Sequence, residues 1–156
     1  MREILFRGKT STGKWVIGAY YKQEEFYGDK EDAHEIITSK DTLDNDLGLF
    51  HSIVIPETVG EFTGLIDKNG NKIFEGDIIK SDDGKQSAVS VVKIGEYYPK
   101  MFYKMLDMFA PGRKHLPAFG VHAKSIDRGE EMILFQSPCV TIIGNIHDNP
   151  ELLENP

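Results

Sequence analysis

The chain has 156 residues, a formal net charge of −7, 40% hydrophobic residues and one cysteine. A domain of this length buries about two-thirds of its unfolded surface, so it needs neither a metal nor a disulfide to fold, and the lone Cys139 excludes an internal disulfide. No apolar run approaches the roughly 18 residues of a membrane span, and the acidic balance counts against general DNA or RNA binding, which depends on Lys and Arg displacing counterions.

Arg2 to Arg7 and Lys14 to Tyr21 are rich in β-branched and aromatic residues, and the segment between them, Gly8-Lys9-Thr10-Ser11-Thr12-Gly13, is rich in turn formers. They predict a hairpin with Phe6 and Trp15 facing the core. Charges scattered through the first nine residues leave no apolar stretch for a signal peptide, so a cytoplasmic protein is expected. The acidity is concentrated just beyond: residues 1–22 hold five bases and one acid, 23–60 two bases and ten acids, 61–156 eleven bases and fourteen acids. Residues 23–50 lack sustained periodicity and read as an acidic excursion with one short strand, Glu35 to Thr38. His51 to Val54 reads as a strand ended by Pro56, which cannot donate to a ladder.

The central stretch, Glu61 to Lys80, sets two β-patterned runs around Asn69-Gly70. That dipeptide predicts a hairpin through a type I′ turn, which needs positive φ at both central residues. Gly76 before Asp77 predicts a kink or bulge between the Ile73-Phe74 and Ile78-Ile79 pairs. Asp82-Asp83-Gly84 reads as a turn before a strand over Ser87 to Ile94.

From Pro99 to Ala110 the period changes to a helical one. Met101, Phe102, Met105, Leu106, Met108 and Phe109 share one face, Pro99 suits the first turn, and Pro111-Gly112 suits the end. Strands resume at 118–124, 131–136 and 140–146, and Asn149-Pro150-Glu151-Leu152-Leu153 reads as an N-cap and a helical turn. The expected fold is mainly β: eight or nine strands in a bent-sheet barrel or sandwich, with SH3-like barrel elements, one short helix near 99–110 and a C-terminal helical turn. The expected organisation is one domain over 1–156.

Several of these segments resemble the YopX family of phage and prophage proteins: Arg2 to Arg7 with Gly13-Lys14-Trp15; Phe62 to Leu65, Asp67 to Gly70 and Ile73 to Ile79; and Ile143 to Leu152. They occur in order and run to both ends of the chain. The resemblance implies a small, mostly β protein of phage or prophage origin. It brings no biochemical activity and no catalytic residue with it. The same residues have structural explanations, since Gly76-Asp77, Gly144-Asn145 and Asp148-Asn149-Pro150 all serve as backbone punctuation.

The chemistry is sparse. Among His34, His51, His115, His122 and His147 there is no zinc spacing, and His147 beside Asp148 points to the opposite face of a strand. Gly8-Lys9-Thr10 lacks the upstream glycine of a phosphate loop. Cys139, after Pro138 and before a β-branched run, reads as an inert thiol. No cofactor, no metal site and no catalytic constellation is expected, and the chain is read as a non-enzyme.

The surface expected to carry function is the aromatic and Met-rich stretch at Tyr98, Met101, Phe102, Met105, Met108 and Phe109, which suits a protein partner. That partner would be a host or phage protein, or a second copy of the chain; the acidic 23–46 segment is a further candidate surface. The bland alternative is that the helix buries this face on its own sheet. Two other readings stand beside it. One is a single-stranded nucleic-acid-binding barrel using Lys100, Lys104, Arg113, Lys114 and His115 among the aromatics. The other is a metal-dependent hydrolase assembled from Asp67, Glu75, Asp77 and Asp148.

Overall fold

The computed structural model describes residues 3–23, 32–41, 47–82, 84, 86–98, 104, 107–109, 118–127, 129–134 and 138–154. The chain forms two compact units, Met1–Gly64 and Leu65–Pro156. It is mainly β, with two antiparallel sheets and eleven strands among the described residues.

In the first unit, β1 (Phe6–Lys9) and β2 (Trp15–Gln23) form the expected hairpin, in register Phe6↔Gly18 to Lys9↔Trp15. Thr10 N–H donates to Lys14 O and Gly13 N–H to Thr10 O, so Gly13 closes the turn with φ +86°. Phe6 and Trp15 are half-buried rather than central. Trp15 carries the Arg7 guanidinium 4.9 Å above its ring, and Phe6 packs on Tyr20.

The acidic excursion differs from its reading. Its single short strand is a long one, β3 (Ala33–Asp41), which pairs with β2 and with β4 (Leu47–Ile53) from Glu35↔Ile53 to Asp41↔Leu47. The pattern there is masked because the exposed face of this ribbon carries apolar residues: Tyr21, Leu49 and Ile53 are all exposed. Ile36, by contrast, is fully buried, with Val54 and Phe62 among the other core side chains of the unit. A 3₁₀ turn at Pro56–Thr58 leads into β5 (Gly60–Ile66), which pairs with β1, giving the order β4-β3-β2-β1-β5.

The end of β5 enters the second unit and pairs with β6 (Lys72–Phe74). The hairpin is present, but its turn is not type I′. Gly70 N–H donates to Asp67 O, which makes Lys68 and Asn69 the central residues, and Asp67 N–H donates to Asn71 O. Gly70 then follows the turn at φ +85°, the three-residue connection with a left-handed glycine bulge. Asp67 selects it: its carboxylate takes the N–H groups of Asn69 at 2.8 Å and Asn71 at 2.9 Å, which a two-residue turn would not present together.

The second sheet has the order β10-β9-β8-β7-β11, from β7 (Asp77–Asp82), β8 (Ser87–Tyr97), β9 (Ala118–Ser125), β10 (Glu131–Ile133) and β11 (Val140–Asn145). Neither strand order returns to its start, so no barrel closes among the described residues. Gly76, with φ +82°, makes the predicted kink, and the buried Asp77 carboxylate takes the Phe74 N–H at 2.7 Å. Ile73, Ile79, Val92, Ala123 and Val140 form the core of this unit, with Leu65, Val121, Leu134 and Ile142 packed around them. A bulge in β11 between Ile142 and Gly144 ends its straight pairing with β7.

The C-terminal turn is a 3₁₀ turn, Pro150–Leu153, without the expected side-chain cap. Asn149 Oδ1 is engaged elsewhere, accepting the Asn145 N–H at 3.3 Å. Between β8 and β9, Lys104 and Asp107–Phe109 are helical, within the predicted 99–110 helix.

Candidate functional site

β8 delivers the chain to the surface expected to carry function. Tyr97 is buried, Tyr98 is half-exposed, and the Tyr98 N–H donates to Glu131 Oε2 on β10 at 3.2 Å. Met108 and Phe109 on the helical segment are 79% and 82% exposed. Met101, Phe102 and Met105 lie outside the described residues, as do Lys100, Arg113, Lys114 and His115. The exposed apolar surface among the described residues of this stretch is therefore Tyr98, Met108 and Phe109.

Beside Tyr97 lies a groove of about 310 Å³ that the sequence did not suggest. Pairing is what creates it. In register, Lys93 faces His122, Val91 faces Lys124, and Lys124 faces Glu131, so these side chains share one face of the sheet. On the same face Gly95 lies opposite Gly120, which removes two Cβ atoms from the middle of the ladder. The lining includes Glu75, Gly95, Glu96, His122, Glu131 and Ile146.

His122 is only 2% exposed and stacks on Tyr97, ring centroids 4.8 Å apart and 18° from parallel. Its Nδ1 lies 3.3 Å from Gly120 O, and a carbonyl only accepts, so Nδ1 carries a proton. Glu75, Lys93, Glu96 and Glu131 also line the groove; by strand alternation the Glu96 side chain leaves the opposite face of β8, and Glu131 lies opposite Lys124.

The carboxylates singled out from the sequence take hydrogen bonds from backbone amides and from asparagine side chains. Asp67 is 2% exposed; besides the two turn amides its oxygens take the Asn71 side-chain amide at 3.2 Å and the Ile142 N–H at 3.3 Å. Burial alone would raise its pKa. The hydrogen bonds from Asn71, Ile142 and Asn69 outweigh burial and hold it below the usual 3.8. Glu75 accepts the Ile94 N–H at 3.3 Å, and Asp148 accepts from the Asn145 side chain at 3.0 Å. His147 and Asp148 both donate their N–H groups to Asn145 Oδ1, which makes this segment the backbone punctuation its sequence suggested.

No group of three or more His, Cys, Asp or Glu among the described residues is placed to hold a metal ion. His51 donates from Nδ1 to the buried Glu35 at 2.9 Å, and the Tyr20 hydroxyl meets His34 Nδ1 at 2.6 Å, both within the first unit. No helix among the described residues is long and apolar enough to cross a membrane.

Strand content and sheet order define a mainly β protein built from two antiparallel sheets. The chain belongs to the YopX family, whose family model, described as YopX protein, matches residues 5–154. Among solved structures it is similar to protein EF1440 from Enterococcus faecalis, at 20% identity over 98% of this chain and 99% of that chain, with a TM-score of 0.47. No curated protein matches the chain.

Proposed function

We propose that the chain is a non-enzymatic interaction module, a phage or prophage accessory protein that binds a host or phage protein in the bacterial cytoplasm. The observation that carries this reading is the exposure of Met108 and Phe109 on one helical segment, with Tyr98 nearby in sequence and also exposed. Large apolar side chains that lie four-fifths in water carry an unfavourable hydration entropy, and a partner that covers them recovers roughly 1.5–3 kcal/mol for each. Methionine adapts its shape to a facing surface, and aromatic residues dominate the energetics of interfaces. The phage setting is what the YopX resemblance implies; the cytoplasmic setting fits a chain with one half-buried cysteine.

The test is purification of the tagged protein from bacteria carrying the phage or prophage, with Met108→Asp/Phe109→Asp as the paired variant. A stoichiometric protein retained by the parent and lost by the folded variant is the expected result. A partner held equally by both overturns the assignment of this surface. Recovery of nucleic acid alone, released by salt, replaces the reading with the nucleic-acid one.

A further inference from the structure

Asn69 is the one asparagine of the chain that stands before a glycine. Asn45, Asn71 and Asn145 precede Asp46, Lys72 and Ile146, and Asn149 and Asn155 precede prolines, which have no N–H. An Asn-Gly unit is open to spontaneous deamidation, because the next backbone nitrogen can close a ring on the side-chain carbonyl carbon and glycine has no Cβ to obstruct it. Asn69 and Gly70 are both exposed, and a Cβ built on Gly70 would meet nothing within 4 Å, so water reaches this unit freely. The reacting groups are nonetheless held. The Gly70 N–H donates to Asp67 O at 3.0 Å, the Asn69 N–H donates to Asp67 Oδ1 at 2.8 Å, and the Asn69 side-chain amide approaches Asp67 Oδ2 at 3.5 Å. One residue thus holds the nitrogen that would attack, the backbone before it and the group that would leave.

We propose that Asn69 is a modification site, an asparagine that stays intact while Asp67 holds the turn between β5 and β6 closed and deamidates when that turn opens. In the reaction the Gly70 N–H gives its proton to solvent and the nitrogen bonds to Asn69 Cγ; the Cγ–Nδ2 bond breaks and Nδ2 leaves as ammonia. Water then opens the succinimide ring at Cγ, giving aspartate, or at the main-chain carbonyl carbon of residue 69, giving isoaspartate. The net change is one water in and one ammonia out. The attacking nitrogen must first break its bond to Asp67 O, so the reaction waits on local opening. Neither product fits the closed turn. Aspartate sets a second carboxylate where an amide faced Asp67 Oδ2, like charge beside like charge. Isoaspartate adds a methylene to the main chain between the N–H groups of residues 69 and 71, which Asp67 Oδ1 takes together. Asp67 also holds the Ile142 N–H at 3.3 Å, so the change extends to β11. The site works in one direction, since the product of opening hinders closure. The inference is independent of the interaction-module reading.

The full chain is incubated at neutral pH, folded in buffer and unfolded in guanidinium chloride, while peptide mass spectrometry follows the conversion of Asn69 from amide to acid. The expected result is conversion about tenfold or more slower in the folded chain. Asp67→Ala, folded by circular dichroism, is expected to convert roughly threefold to tenfold faster than the folded parent, because it loses the carboxylate bonds but keeps the backbone one. The deamidated fraction of the parent, separated by its added negative charge, is expected to exchange the Ile142 N–H about tenfold or more faster than the unmodified chain.

Four results overturn the proposal: an unfolded chain in which Asn69 converts no faster than Asn71 or Asn145, which removes the site; a folded parent that converts as fast as the unfolded chain, which removes the gate; a folded Asp67→Ala that converts no faster than the folded parent, which takes the gate away from the Asp67 carboxylate; or a deamidated chain that keeps the Ile142 N–H protected, which shows that the closed turn accepts the product. If Asp67→Ala does not fold, the folded and unfolded parent and the Ile142 exchange decide by themselves.

Discussion

Asp67→Ala is the most informative single change for the fold, because one buried carboxylate joins a turn to a strand distant in sequence. The substitution strips the acceptor from the N–H groups of Asn69, Asn71 and Ile142. A hydrogen bond to a charged group contributes roughly 1.5–3 kcal/mol. Asn69 and Asn71 are exposed and their amides can turn to water, so each retains only part of that loss; the Ile142 N–H is half-buried and loses more. The sum is about 3 kcal/mol, or a fall in Tm of roughly 6–12 °C for a chain of this size.

The same bonds set a pH signature. The native carboxyl titrates below its unfolded value of 3.8, so its stabilisation is fully present above that pH and disappears as pH falls through the lowered native pKa. The measurement is urea unfolding of parent and variant at neutral pH and in a series of acid buffers. The gap in stability should be constant at neutral pH and shrink on acidification. Equal midpoints at neutral pH, or a gap that widens in acid, would refute the assignment of Asp67 as the organiser of this hairpin.

Other changes probe separate parts of the molecule. Gly144→Ala places a Cβ 2.5 Å from Asn149 Oδ1, so thermal melts should show a loss of about 1–3 kcal/mol that Asn149→Ala partly restores; no restoration contradicts the close-approach explanation. Ile79→Ala, inside the cluster with Ile73, Val92 and Val140, should cost about 2–4 kcal/mol in denaturant titration, with no change in slope. Met108→Asp/Phe109→Asp should leave stability within about 0.5 kcal/mol of the parent, because both side chains are already in water; a large loss would mean that they pack at home.

What the sequence alone determined is local. Turn chemistry and the period-2 alternation located the Trp15 hairpin, the Asn69-Gly70 connection, the Gly76-Asp77 kink and most strands of the second unit, because each depends on residues within a few positions of one another. The YopX resemblance was legible for the same reason, being carried by those turn and strand-start residues. The turn type at Asn69-Gly70 was not legible, since Asp67 chooses it through a carboxylate that also reaches Ile142 on β11 of the second sheet. The extent of β3 and β4 was hidden because the exposed face of that ribbon is apolar, which erases the alternation that marks a half-buried strand.

The groove belongs entirely to tertiary structure. His122 read as an ordinary strand histidine, and nothing near it in sequence marks it. Only the register that sets Lys93 opposite His122 and Gly95 opposite Gly120, together with the early end of β7 pairing, opens a groove lined by Glu75, Glu131 and the buried His122. Strand register is fixed by how whole faces bury, and a shift of one residue would turn His122 into the Val92 core and abolish the site.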